Sequence, residues 1–229
     1  DQDTALKAFG EICEGTGQSA YPLQLALQEL RNAGWEPQAL PLLRQAWQGG
    51  GPFHPWVPIL WIESPEGQAA DPADRLRAVE TLIKAYPKFA PGYDAKAEQL
   101  ALLGRYEEAL AACQPSEIKP LPVELQARAA WIEAQRMRWQ EAITRMRQLA
   151  NEHPEFAPAW RHLTMWYNTT GRYREALEAA EQLVRLEPKH PLSYLLRGEA
   201  RQRLGDARGA RSDYQQAWNL DPTLEGAGV

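Results

Sequence analysis

The chain has 229 residues, of which 44% are hydrophobic and 24% are charged, and its formal net charge is −5. Such a composition can bury a sizeable core, but it lacks the basic surplus that binds a phosphate backbone, so we expect no nucleic-acid partner. No apolar run approaches the roughly 20 residues that span a bilayer, and we expect no membrane insertion.

The first predicted helix covers residues 3–14, where apolar residues recur at the spacing of one helix face. We interpret segment 1–19 as an N-terminal helix or a truncated repeat. The chain starts at Asp1 without a methionine, and we therefore expect it to be part of a longer protein or a processed form. Nothing in the sequence identifies its compartment, for which the cytoplasm is the default expectation.

Residues 20–122 are predicted to form three irregular helical hairpins. The first covers 20–53. In the second, closely spaced proline and glycine residues predict a loop over residues 64–71, after a short helix. In the third, prolines from Pro115 onward are expected to end the second helix early, because proline lacks the N–H that a helix requires.

Residues 123–224 show a regular period of 34 residues. Three residue types return at fixed places in it: Pro154, Pro188 and Pro222; Ala142, Ala176 and Ala210; Gly171 and Gly205. The prolines are expected to end helices, the alanines to let two helices approach closely, and the glycines to adopt a left-handed turn. The repeat at 123–156 carries Met137 where the glycine would be.

This pattern is similar to the tetratricopeptide repeat family. The segment 157–190 matches the family pattern through Trp160, Leu163, Tyr167, Gly171, Tyr173, Ala176 and Pro188. The resemblance covers residues 20–224 and is most specific over 123–224. It implies an all-α fold in which about six helical hairpins stack into a right-handed α-α superhelix, or solenoid. We expect one continuous solenoid, followed by a short tail at 225–229.

The resemblance also implies where a partner would bind, because the first helix of each hairpin lines the concave face of such a superhelix. The inward places carry guanidinium groups, amides, an indole and a thioether, which suit the backbone and carboxylates of a peptide. The expected partner-binding groove consists of Arg128, Trp131, Gln135, Arg161, His162, Met165, Asn168, Glu199, Gln202 and Arg203.

Some members of the family bind the C-terminal carboxylate of chaperones through a lysine and asparagines at set places. Here those places hold Ala127, Trp131 and His162. The carboxylate clamp is therefore absent, and we do not expect recognition of that kind of tail.

No catalytic constellation is visible in the sequence. The four histidines lack the spacing of metal ligands, and we find neither a phosphate-binding glycine loop nor a nucleophile elbow. We therefore expect a non-catalytic scaffold or adapter that binds a protein or peptide and needs no cofactor or metal.

Three other interpretations stay open. The segment could be a regulatory or substrate-presenting domain of a longer enzyme, such as a glycosyltransferase or sulfotransferase. It could be similar to the alpha subunits of protein prenyltransferases, whose aromatic-to-arginine spacing Tyr194 and Arg197 imitate. It could also associate with itself through the terminal helix near Leu220.

Most cysteines and tryptophans are expected to be structural core residues rather than functional ones. Cys13 and Cys113 are expected to be buried and unpaired. Four tryptophans, Trp47, Trp139, Trp160 and Trp218, occupy places that pack between helices. Phe53, Trp56 and Trp61 flank the predicted loop, where an exposed aromatic cluster would mark a second contact surface.

Overall fold

The computed structural model describes residues 1–17 and 19–223, and every regular element in that part of the chain is a helix. The helices are α1 (Gln2–Cys13), α2 (Tyr21–Asn32), α3 (Glu36–Gln48), α4 (Val57–Glu63), α5 (Pro65–Ala69), α6 (Pro72–Ala85), α7 (Ala90–Leu102), α8 (Tyr106–Ala112), α9 (Val123–Gln135), α10 (Trp139–Glu152), α11 (Ala157–Thr169), α12 (Tyr173–Leu186), α13 (Pro191–Arg203) and α14 (Ala207–Leu220). None of these helices is long and apolar enough to cross a membrane. The predicted tail at 225–229 lies outside the described residues.

The chain divides into two compact units. The N-terminal unit comprises residues 1–128, and the C-terminal unit begins at residue 129, inside α9. The prediction that all repeats continue as one right-handed solenoid stays a prediction.

In the C-terminal unit the helices pack as hairpins. Helix α11 packs against α12 and α13 against α14, while α12 and α11 both contact α13. The three recurring alanines, Ala142, Ala176 and Ala210, are almost completely buried. A methyl group at these places lets the second helix of a hairpin lie close to its neighbours, as the sequence predicted.

In the C-terminal unit, the turn inside each hairpin depends on one residue with positive φ. Gly171 has φ 75° and Gly205 has φ 85°. In the turn at Gly171, the N–H of Arg172 donates to the carbonyl of Tyr167 at 2.8 Å, which closes the end of α11. Met137 adopts φ 62° at the equivalent place, so the backbone of that turn is kept although the glycine is missing.

The N-terminal unit is built from the same kind of hairpin. Helix α2 packs against α3, α4 against α6, and α7 against α8. Helix α8 has only seven residues, which confirms that the prolines after it shorten the third hairpin. Helix α1 packs against both α2 and α3 and covers the first hairpin.

The loop predicted over residues 64–71 is wrong in its middle part, where α5 forms one helical turn. Pro65 occupies the first turn, where proline has no hydrogen bond to lose. The Ser64 hydroxyl accepts a hydrogen bond from the N–H of Gly67 at 3.2 Å and so caps the helix. A side chain at Gly67 would collide with the carbonyl of Trp61, so the residues that suggested a loop in fact allow a tight helical turn.

The two cysteines are buried and unpaired, as predicted. Burial raises the pKa of the Cys13 and Cys113 thiols to about 12, with the neighbouring acidic residues adding to the shift. Both side chains therefore behave as small hydrophobic groups.

The tryptophans only partly follow the prediction. Trp47 is buried, and Trp139 and Trp160 are half-buried. Trp218 is 45% exposed, so its placement in the core was wrong. It lies on α14, and the described part of the chain provides no later hairpin to cover that helix.

The open question about an aromatic cluster at Phe53, Trp56 and Trp61 is answered by burial, because Phe53 and Trp61 are both buried. The Trp61 ring packs 5.1 Å from that of Trp47, and the Phe53 ring packs 5.8 Å from that of Tyr86. Only Trp56 remains half-buried.

Candidate functional site

Four of the predicted groove residues surround one cavity of about 490 Å³ in the C-terminal unit. We call its lining the C-terminal groove. It consists of Asn168 and Thr169 from α11, Leu195, Glu199, Gln202 and Arg203 from α13, and Tyr214 from α14. The sequence analysis missed Leu195, Thr169 and Tyr214. Tyr214 lies on the second helix of its hairpin, whereas Leu195 and Thr169 lie on first helices and were not selected.

An amide and a carboxylate meet at one side of the C-terminal groove. The Asn168 side-chain nitrogen donates to Oε2 of Glu199 at 3.4 Å. Partial burial raises the pKa of Glu199, although Asn168 and the nearby Arg203 charge both act in the opposite direction. The Asn168 Oδ1 atom is buried and has no hydrogen-bond partner in the described part of the chain. The accessible acceptor on this side is therefore the exposed Glu199 carboxyl group.

The other side of the C-terminal groove offers hydrogen-bond donors. The Tyr214 hydroxyl donates to Oε1 of Gln202 at 2.8 Å, which leaves the Gln202 amide nitrogen available to a ligand. The exposed Arg203 guanidinium lies 6.0 Å from the centre of the Tyr173 ring. The groove therefore combines acceptors with donors, as does a peptide backbone.

Three other predicted residues lie on α11. Nη2 of Arg161 donates to both carboxylate oxygens of Glu187 at 2.8 Å. This ion pair neutralises Arg161 within the chain. The half-buried His162 stacks on Trp166 with ring centres 5.3 Å apart, and Met165 is 43% exposed.

The remaining three predicted residues belong to α9, which the unit boundary divides. Trp131 is half-buried and Gln135 is exposed, and both belong to the C-terminal unit. Arg128 belongs to the N-terminal unit, where it lines a different cavity.

The second cavity, which we call the N-terminal cavity, has a volume of about 520 Å³. Its lining residues come from α4 and the residue before it, from α7 and from the start of α9: Trp56, Ile59, Glu63, Ala90, Pro91, Asp94, Ala95, Glu98, Glu124, Leu125 and Arg128. A signal for it exists in the sequence, since Trp56, Ala90 and Glu124 are spaced by the repeat period. The sequence analysis did not use that signal.

Arg128 is bound by two carboxylates of the N-terminal cavity. Its Nε and Nη2 atoms donate to Asp94 at 2.8 and 2.7 Å, and Nη1 donates to Glu98 at 3.2 Å. Burial alone would lower the pKa of Arg128, but the hydrogen bonds and charges of Asp94 and Glu98 outweigh it and raise the pKa. The predicted groove cation is therefore the centre of an internal ion-pair network.

The arginine that imitates the prenyltransferase spacing also has an internal partner. Arg197 donates to Oδ1 of Asp213 at 2.6 Å through Nη2, and Arg201 donates to Oδ2 of the same residue at 2.9 Å. The guanidinium of Arg197 lies 5.4 Å from the Tyr194 ring. The spacing of Tyr194 and Arg197 thus serves packing between α13 and α14.

Within residues 1–17 and 19–223, no group of three or more histidine, cysteine or carboxylate side chains is arranged to hold a metal ion.

Several solved structures have the same architecture. A tetratricopeptide repeat protein from Parabacteroides merdae aligns with 99% of this chain and 88% of its own, with a TM-score of 0.70 and 17% identity. PilW, a widely conserved type IV pilus biogenesis factor, aligns with 89% of this chain and 94% of its own, with a TM-score of 0.62 and 18% identity. YrrB, described as a tetratricopeptide repeat protein with an unusual peptide-binding site, covers 75% of this chain and 86% of its own, with a TM-score of 0.51 and 13% identity.

No protein-family model matches this sequence, and no curated protein does. The structural likenesses nevertheless confirm the fold predicted from the repeat pattern. The chain has the all-α tetratricopeptide repeat fold.

Proposed function

We propose that the chain is a non-catalytic scaffold that binds a peptide segment of a partner protein in the C-terminal groove. The observation that carries this proposal is a cavity of about 490 Å³ in which the exposed Glu199 carboxyl group lies beside the donors of Gln202 and Arg203. A peptide backbone presents alternating donors and acceptors, and such a set of side chains can satisfy both.

The chemistry of the C-terminal groove favours binding over catalysis. Its carboxyl group, Glu199, faces the Asn168 amide and the Arg203 guanidinium. Neither the Asn168 amide nor the Arg203 guanidinium is a nucleophile or a general base at neutral pH. The peptide-binding site that the description of YrrB mentions belongs to that protein, and its presence on a similar fold supports the proposal.

The test is a selection of displayed random peptides on the immobilised chain, followed by titration calorimetry of the enriched peptide. We expect the double variant Gln202→Ala, Arg203→Glu to weaken binding at least about tenfold, because it removes two donors and reverses one charge. Mass spectrometry should recover the peptide unchanged after incubation.

The matched control is Arg208→Glu on α14, which makes the same change in charge at an exposed residue outside the groove. It should bind the peptide as the unaltered chain does. Equal affinity of the double variant, with its helicity intact by circular dichroism, would place the peptide elsewhere and overturn the proposal.

A further inference from the structure

The N-terminal cavity combines an apolar wall with uncompensated negative charge. Trp56, Pro91 and Ala95 supply partly exposed apolar surface, and the cavity volume of about 520 Å³ lies in the range of roughly 300–1,000 Å³ that is typical of ligand sites. The Trp56 ring packs edge-on against Phe89, with ring centres 5.5 Å apart, so the indole is held in place.

Four carboxyl groups and one guanidinium line the N-terminal cavity, which gives it a formal net charge of −3. Asp94 and Glu98 share the guanidinium of Arg128. The side chains of Glu63 and Glu124 make no hydrogen bond or ion pair with any described residue. The charge of the cavity is therefore mostly unbalanced in the unbound protein.

The environment of Glu63 disfavours the ionised form of its carboxyl group. Loss of hydration raises the pKa of the Glu63 carboxyl, and the neighbouring Glu98 carboxylate raises it further. A cation placed between these groups would stabilise their ionised forms.

We propose that the N-terminal cavity binds a short peptide segment in which a lysine or arginine stands beside an apolar residue. The alkyl part of the basic side chain would pack against the Trp56 indole while its charged end reaches Glu63 and Glu124. The apolar neighbour would cover Pro91 and Ala95, which are partly exposed. This site and its ligand are distinct from the C-terminal groove, so the inference does not depend on the function proposed above.

A peptide fits the cavity better than a free polyamine does. Free polyamines are charged along their length and gain little from apolar surface, whereas Trp56, Pro91 and Ala95 present partly exposed apolar lining. We therefore expect a dependence on both charge and apolar contact.

The experiment uses the full chain and a short capped peptide that alternates leucine with arginine, labelled for fluorescence anisotropy. We expect saturable binding that weakens at least about tenfold in the double variant Glu63→Gln, Glu124→Gln. These two residues are suitable for substitution because no described ion pair depends on them. Trp56→Ala should weaken binding as well.

The matched control is Glu11→Gln with Glu29→Gln, which removes the same charge from exposed places on α1 and α2. This control should bind the peptide as the unaltered chain does. A peptide with glutamate in place of arginine, and spermidine alone, should both bind at least about tenfold more weakly.

Three results would overturn the inference: no saturable binding by the unaltered chain, equal losses in both double variants, or binding of spermidine as tight as that of the peptide. The first two would leave the C-terminal groove untouched, because its test uses other variants and another peptide. The third would make the cavity a site for small cations.

Discussion

At the scale of single residues, Met137 is the place where the sequence departs most clearly from the repeat. It holds φ 62°, a conformation that costs a residue with a side chain about 1–2 kcal/mol. Its side chain is 70% exposed, so packing does not offset this cost.

We expect Met137→Gly to stabilise the chain by about 0.5–1 kcal/mol. The relief of the strained turn is partly offset by the greater conformational freedom of glycine in the unfolded chain, which costs about 0.5–1 kcal/mol. Urea denaturation would measure the change. The matched substitution Gly171→Ala should destabilise by about 1 kcal/mol, since φ at that turn is 75° and no atom crowds the new methyl group. A destabilised Met137→Gly variant would contradict this account of the turn.

His54 gives a prediction about pH. It is buried, its Nδ1 accepts from the N–H of Trp56 at 3.3 Å, and its ring donates to the backbone of Ser19. Burial lowers the pKa of His54 below its usual value of 6.5, and the Ser19 hydrogen bond opposes this only in part. The unfolded chain therefore binds a proton at a higher pH than the folded chain does.

The stability that His54 contributes should be fully present above about pH 7 and should fall as the pH drops below about 6.5. The variant His54→Gln cannot take up this proton. Its free energy of unfolding should therefore depend less on pH from about pH 7 downward. Denaturation curves of both proteins across this pH range provide the measurement. An identical pH dependence of the two would show that His54 has no lowered pKa.

Some single-residue features can be predicted from the sequence, and others cannot. The repeat pattern predicted the glycine turns and the buried alanines, because backbone conformation and close packing restrict those places to few residue types. It could not show that Arg161 binds Glu187 or that Arg128 binds Asp94, since these pairs are 26 and 34 residues apart and depend on rotamers. Two predicted groove cations are therefore neutralised within the chain.

At the scale of helices, the hairpin of α13 and α14 is joined by a buried carboxylate. Asp213 is 2% exposed, and it accepts hydrogen bonds from Arg197 at 2.6 Å and from Arg201 at 2.9 Å. The hydrogen bond to Asp213 is the main reason why the pKa of Arg197 is raised.

Asp213→Ala should destabilise the chain by about 3 kcal/mol, because two partly buried guanidinium groups lose their partner. Thermal or urea denaturation would measure it. Glu178→Ala, at an exposed place on α12, should change stability by less than about 0.5 kcal/mol. A loss of less than about 1 kcal/mol at Asp213 would mean that water replaces the buried ion pairs at little cost.

Most helices were predictable from the sequence, but the exceptions have a common cause. Helix α5 was taken for a loop because Pro65 and Gly67 usually break helices, yet they occupy the first turn of a very short one. Trp218 was placed in the core because its repeat place is normally covered, but in the described chain nothing covers α14 there. Both errors arose because a repeat pattern gives positions along the chain but not the residues that pack against them in three dimensions.

At the scale of the whole molecule, the helical hairpins have similar backbones, but the two cavities that they form differ in the chemistry of their lining side chains. The C-terminal groove balances donors against acceptors, whereas the N-terminal cavity is acidic with an apolar wall. The sequence predicted four of the seven residues of the first, because the family pattern identifies the inward places. The sequence analysis did not predict the N-terminal cavity as a site, because it assigned inward places only in the three regular repeats.

The most direct test of the central claim is hydrogen–deuterium exchange of the chain with and without a peptide selected on it. The account predicts slower exchange in the second half of α11 and along α13, with the peptide mass unchanged. Protection confined to helices outside the C-terminal groove and the N-terminal cavity, or chemical conversion of the peptide, would contradict a non-catalytic scaffold of this design.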